Sequence, residues 1–279
     1  MLKFTEWCNW SNWEGILGYS LGTLPLAIRN GLAALAKYGS NAHLFIPGVG
    51  KINGIEVGNY IESTGVTSAV LLDPIGRICG DYCNGTPLTQ ATTANKPILN
   101  RDANGNYYWK KGASASWLSG TPLFDGTVRD YYVGAAFAPG ALDSGIKYIF
   151  SPAMGSGVAM RPVLYANAWD FRIFDSDGTN HLDARVGVLT AGTSYVMSGR
   201  RIGNTVYPKL NGIAKTAVTK TGQAAITPTQ SRIMSDASGI THPFQGSAYG
   251  FCAVQATVSE QDGIDIDNML AFFSGVTMQ

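Results

Sequence analysis

The residues best suited to chemistry lie in FDSDGTNHLD, residues 174–183, where Asp175, Asp177, Asn180 and Asp183 gather hard oxygen donors within one turn-length segment. Oxygen donors of this kind suit a calcium ion, and Trp169 just upstream offers a flat apolar platform for a sugar ring. The spacing departs from the Asp-x-Asp-x-Asp-Gly calcium loop, because Gly178 follows directly on the second aspartate. A hairpin turn with a polar tip accounts for the same residues more simply. The expectation is a small-ligand site at Trp169, Asp175, Asp177 and Asn180, with no cofactor and calcium as the one metal the donors would suit.

Other chemistries find less support. Hydrolysis of a glycan needs two carboxylates facing each other across the scissile bond. No Glu-x-Asp-x-x-Glu run occurs, and Glu14, Glu56, Glu62 and Glu260 fall outside the central strand candidates. His43, His181 and His242 are far apart, and none sits in a metal motif. Cys79 and Cys83 are separated by three residues and miss the Cys-x-x-Cys spacing, so they, Cys8 and Cys252 read as free thiols. A non-enzymatic protein is expected.

Composition narrows the partners. Net charge is +1 over 279 residues, with 14% charged and 45% hydrophobic residues. Lys and Arg are scattered along the chain without a basic run, which disfavours nucleic acid, whose binding needs clustered cations. Nothing is long and apolar enough to insert in a membrane. The N-terminal MLKFTEWCNWSNWEG lacks the basic start and apolar stretch of a secretory signal, so synthesis in a cytoplasm is expected.

The elements that must position any site are strands. Tyr195–Val218 alternates in polarity around Asn211-Gly212, and Asn-Gly between two such runs is the strongest short-range hairpin signal. Asn53-Gly54, Asn84-Gly85, Asn104-Gly105, Asp125-Gly126 and Asp177-Gly178 repeat the punctuation. Ala69–Leu72 and Tyr107–Trp109 read as short strands, and from Arg129 the strand pattern becomes regular through SAYGFCAVQATV. Strands divided by turn chemistry, without regular helices between them, predict an all-β sandwich.

Two helices frame this pattern. One is predicted after Thr23 as cap, with Pro25 in its first turn, apolar Ile28, Leu32 and Leu35 and a stop at Gly39, although Gly31 weakens it. A short C-terminal helix is predicted after Ser259, with Asp262 three residues on, through Asn268–Phe273. Trp7, Trp10 and Trp13 are three of the six tryptophans, and in one short stretch they read equally as a partner anchor or as a flap over the protein's own core. Residues 1–58 are taken as an N-terminal attachment region and 59–279 as the sandwich domain.

Several segments together resemble the concanavalin A-like, laminin-G-like β-sandwich domains of bacteriophage and prophage virion proteins. They are VLLDPIGRI, LTQATTANKPIL, NGNYYWKKGASASWLSG, YVMSGRRIGNTVYPKLNGIAK, FQGSAYGFCAVQATVS and SEQDGIDIDNMLAFF, spread over Gly65–Gly275. Lys110-Lys111-Gly112-Ala113-Ser114 stands where that family has an aspartate-rich phrase, and the tryptophan-bearing N-terminal region has no counterpart. The resemblance implies a jelly-roll sandwich in a virion structural protein made in the host cytoplasm. A tail-fibre, receptor-binding or baseplate-associated component is the first implied role, a head decoration protein the second, and a free carbohydrate-binding lectin the third. Implied partners are other virion proteins, a second and third copy in a trimer, and a host cell-surface glycan.

Overall fold

In a computed structural model of the chain, the described residues are 25–279. Excepted are 49–50, 53–54, 57–58, 66, 79–86, 112–115, 127–129, 141–146, 156–159, 167–170, 178, 188–189 and 236–242. The tryptophans at positions 7, 10, 13 and 169 and the cysteines at 8, 79 and 83 therefore lie outside the described residues.

Helix α1 (Leu26–Ala36) opens the described chain. The first strands are β1 (Ala42–Phe45), β2 (Lys51–Ile52), β3 (Ile55–Glu56), β4 (Asn59–Tyr60), β5 (Arg77–Ile78) and β6 (Leu88–Thr89). Then come β7 (Ile98–Arg101), β8 (Tyr107–Lys110), β9 (Leu118–Gly120), β10 (Tyr131–Pro139), β11 (Lys147–Met154), β12 (Met160–Ala166) and β13 (Phe171–Ser176). The last are β14 (His181–Gly187), β15 (Tyr195–Ile202), β16 (Thr205–Leu210), β17 (Ile213–Ala214), β18 (Val218–Thr219), β19 (Gln230–Ile233) and β20 (Gly246–Val254), followed by helix α2 (Glu260–Ser274).

The strands make a β-sandwich. The first sheet runs β17-β16-β15-β10-β20-β8-β7, with β1 also on β20 and β18 on β16. The second runs β14-β13-β12-β11-β19-β9-β6-β5-β4, and β2 and β3 pair apart from both. The Asn-Gly signal is realised between β16 and β17, where Leu210 faces Ile213 and both turn residues are left-handed, Asn211 at φ 51° and Gly212 at φ 85°. That is the pair of positive φ angles a type I′ turn demands.

The space between the sheets is filled by aromatic and aliphatic side chains. Trp109 stacks on Phe251 with ring centroids 5.9 Å apart, and Phe251 in turn meets Phe150 at 5.3 Å. Strand β10 shows a second packed layer. Tyr131, Val133, Ala135 and Phe137 enter this core, while Tyr132, Ala136 and Ala138 enter another, formed with α1 and α2. Alternation of polarity disappears from such a strand because both of its faces are covered.

The helices cover the outer face of the first sheet. Ser259 caps α2, its Oγ accepting the Asp262 N–H at 3.1 Å, and Gly275 ends it in the left-handed region, so the predicted helix extends over 260–274. Helix α1 packs on it through Ile28, Leu32 and Leu35, and Asp262 receives Lys37 Nζ and the Tyr38 hydroxyl. Gly31, which weakens α1 as an isolated helix, sits at the crossing: a Cβ there would lie 2.5 Å from Met269 Cβ. Gly31→Ala is expected to destabilise the protein by about 1–2 kcal/mol, the overpacking cost exceeding the gain in helix propensity. Thermal denaturation checks this, and an unchanged midpoint would mean that the two helices part without loss.

Two sequence expectations are revised. Residues 42–45, inside the expected attachment region, pair with β20 in register from Ala42–Val254 to Phe45–Phe251, and α1 belongs to the second core. The described part of that region up to Phe45 is thus built into the sandwich, and the division at residue 58 does not fall between separate packing units. Ala69–Leu72, expected as a strand, ends in a turn with Leu72 at φ 74°. There Asp73 accepts the Val70 N–H at 2.9 Å and the Leu72 N–H reaches the Leu99 carbonyl at 2.8 Å. The aspartate's local hydrogen bonding overrides the apolar run.

Candidate functional site

The predicted oxygen-donor loop is the connection between β13 and β14. Asp175 lies in β13 opposite Leu182, and Ser176 opposite His181 closes the hairpin. Asp177 Oδ1 accepts the backbone N–H groups of Thr179 at 2.9 Å and Asn180 at 2.6 Å. Its Oδ2 accepts the N–H of Ala224 at 2.6 Å, and Asn180 Nδ2 donates to the Gly222 carbonyl at 3.2 Å. The N–H groups of Ala224, Asn180 and Thr179 hold the Asp177 carboxyl well below the usual carboxylate range. Asp177 and Asn180 therefore tie the hairpin to the 222–224 loop, and most of the carboxylate's acceptor capacity is spent inside the protein. Asp183, the third residue of β14, is ion-paired with Arg172.

Other carboxylates behave similarly. Every Asp or Glu whose side chain is described accepts a hydrogen bond from the protein, among them Asp102 in its turn, Asp130 from Gly203 and Thr257, and Glu260 from Arg200 and Lys209. Among the described residues no group of three or more His, Cys, Asp or Glu side chains is gathered as a metal site would need. Cys252 is a fully buried free thiol whose pKa burial pushes up. Gly18-Tyr19-Ser20-Leu21-Gly22 has the spacing of a nucleophile elbow, a pattern that has meaning on a strand–turn–helix, and it lies outside the described residues.

The outer face of the second sheet holds a cluster of a different kind. Leu118 and Ile233 point into the core, so Trp117, Ser119 and Arg232 point outward. Arg232 stands opposite Ser119 on one side and Ser151 on the other. The half-buried Trp117 ring lies over its guanidinium, 5.4 Å from Cζ to centroid, and Arg232 Nη2 donates to Gln230 Oε1 at 2.8 Å. Thr89 on β6, opposite Ser119, continues the polar row to Arg77 on β5. An aromatic plane fixed by a cation and bordered by hydroxyl and amide groups can meet a ligand that is apolar on one face and rich in hydroxyls at its edge.

Comparison with known proteins bears on the architecture. The sialidase of Trypanosoma rangeli bound to 2,3-difluorosialic acid superposes with a TM-score of 0.51 at 10% identity, over 89% of this chain and 38% of that one. The shared feature is the fold. This chain thus spans about two fifths of the sialidase it matches. Weaker likenesses are the CBM40 of the Ruminococcus gnavus IT-sialidase bound to α2,3-sialyllactose and domain 4 of the GH43 arabinanase AbnA of Geobacillus stearothermophilus bound to arabinotriose. The first has TM-score 0.42, 13% identity, and 50% of this chain on 83% of that one. The second has TM-score 0.43, 11% identity, and 81% on 99%. Neither a family model nor a curated protein sequence matches the chain.

Sequence reading missed the Trp117–Arg232 cluster. Its members are 115 positions apart, and the signal available was the alternation around Leu118 and Ile233, which sets their neighbours outward.

Proposed function

We propose that the protein is a carbohydrate-binding β-sandwich that binds without chemistry, through the outer face of its second sheet. The observation that carries this reading is the Trp117 plane held on Arg232 beside Gln230 and Ser119. The engagement of each described carboxylate in local hydrogen bonds favours binding over hydrolysis, which needs an opposed acid pair. The sialidase likeness adds a fold found within a protein that handles sugars.

A glycan array tests this. The expected result is binding to a defined group of saccharides, weakened by about tenfold or more in Trp117→Ala, as loss of a stacking anchor implies, with no release of reducing sugar from bound ligand. An array without signal would remove the reading. A virion setting, as a trimeric tail or head component, is a second proposal resting on the phage-like segments of Gly65–Gly275. Immunogold labelling of particles would place the chain at the tail, on the head, or on neither.

A further inference from the structure

Strand β16 alternates in burial. Val206 and Leu210 enter the core between the sheets, so Thr205, Tyr207 and Lys209 face out from the first sheet. Helix α2 lies over β10, β15 and β20 on that side, and β16 runs beside it as a ledge. The Tyr207 ring is 41% exposed, and its hydroxyl has no hydrogen-bond partner among the described residues. Arg200, opposite it on β15, steadies the ring, with Cζ 5.9 Å from the ring centroid. That guanidinium is itself fixed, Nη1 donating to the Val258 carbonyl at 2.9 Å and Nη2 to Glu260 Oε2. Lys209 Nζ donates to the other oxygen of the same carboxylate.

An ionised carboxylate offers about four acceptor positions, and Glu260 uses two of them within the protein. Its side chain is 59% exposed, whereas those of Arg200 and Lys209 are 11% and 12% exposed. The two cations therefore lie beneath the carboxylate, and Lys209 foremost holds its pKa below the usual carboxylate range. An anion approaching the ledge meets like charge first. A neutral ligand with hydroxyl donors meets a fixed, ionised acceptor beside an aromatic plane whose polar tip is free to bond.

We propose that this ledge is a second saccharide site, taking a neutral pyranose ring on Tyr207 with its hydroxyls donating to Glu260. It rests on the carbohydrate-binding reading and extends it. Trp117 faces out from the second sheet and Tyr207 out from the first, so one chain carries two sites on opposite faces of the sandwich. A protein built in this way joins two glycan chains.

The test starts from Trp117→Ala, which removes the stacking anchor of the first site. On the glycan array this variant is expected to keep binding at least one neutral saccharide. Adding Tyr207→Ala should weaken that residual binding about tenfold or more, the loss of a second platform, whereas Tyr207→Phe, which keeps the ring, should hold it within about threefold. Glu260→Gln, which keeps the ring and removes the charged acceptor, should weaken it several-fold. The parent protein should also raise the light scattering of a soluble neutral polysaccharide built of the sugar bound, and neither Trp117→Ala nor Tyr207→Ala alone should do so. A merely structural role for Tyr207 would not abolish cross-linking while leaving the Trp117 site able to bind.

Loss of all array binding in Trp117→Ala, or residual binding that Tyr207→Ala and Glu260→Gln leave unchanged, would overturn the second site and leave the first in place. Residual binding confined to acidic saccharides would equally overturn the inference. If the parent protein binds no array glycan, the functional reading falls and the second site with it.

Discussion

Replacing Asp267 with asparagine is expected to stabilise the protein by about 2–3 kcal/mol at pH 8 and by little at pH 4. Asp267 is fully buried in α2 and accepts the Tyr132 hydroxyl at 2.7 Å, in the same layer as the Cys252 thiol. Burial raises its pKa to about 6, against hydrogen bonds from Tyr132 and Ser198 that favour the anion. An aspartate in the unfolded chain titrates near 3.9. Between those two values the folded protein holds a proton that the unfolded chain has released. Stability is then fully present below about pH 4, declines as pH rises toward 6 and stays lower above it.

A displacement of about two pH units corresponds to roughly 3 kcal/mol, and asparagine, neutral at every pH, avoids that loss while still accepting from Tyr132. Urea unfolding of both proteins at pH 4, 6 and 8 measures the difference. A gap that opens between pH 4 and 6 supports the assignment, whereas an asparagine variant less stable than the parent at pH 8 would show that the buried anion contributes through its hydrogen bonds more than it costs.

Trp109→Ala is expected to cost about 3–5 kcal/mol, the range for removing a fully buried aromatic ring. Trp109 on β8 stacks on Phe251 in the first sheet, and its Nε1 donates to Asn59 Oδ1 at 2.7 Å on β4 of the second. Asn59 Nδ2 donates onward to the Ile46 carbonyl at 3.1 Å, so one indole joins both sheets to the segment after β1. Trp109→Phe keeps most of the ring and removes the donor. Its expected cost is about 1–3 kcal/mol, that of a buried acceptor left unsatisfied. Denaturant midpoints for the three proteins separate the two contributions. Equal losses in both variants would place the whole effect in the hydrogen bond.

Local chemistry made the strands legible. Asn211-Gly212 wrote its turn because few other residues adopt left-handed backbone angles cheaply, and Ser259 marked the start of α2 because capping is satisfied within a few residues. The apolar run Ala69–Leu72 misread for the complementary reason: its conformation is set by Asp73 and by Leu99, the latter 27 residues beyond Leu72.

By itself the sequence determined a β-sandwich with a helix at each end, since period-two patterning, turn residues and caps are properties of neighbours along the chain. Only the tertiary structure decided that both helices seal one face of the first sheet, with Gly31 at their crossing. It also decided that Asp177 ties a hairpin to another loop, and that arginines which look scattered along the chain share one face of the second sheet. Charge at a surface depends on which strands lie side by side, and strand order brings β19 between β11 and β9 across separations that no sequence pattern encodes.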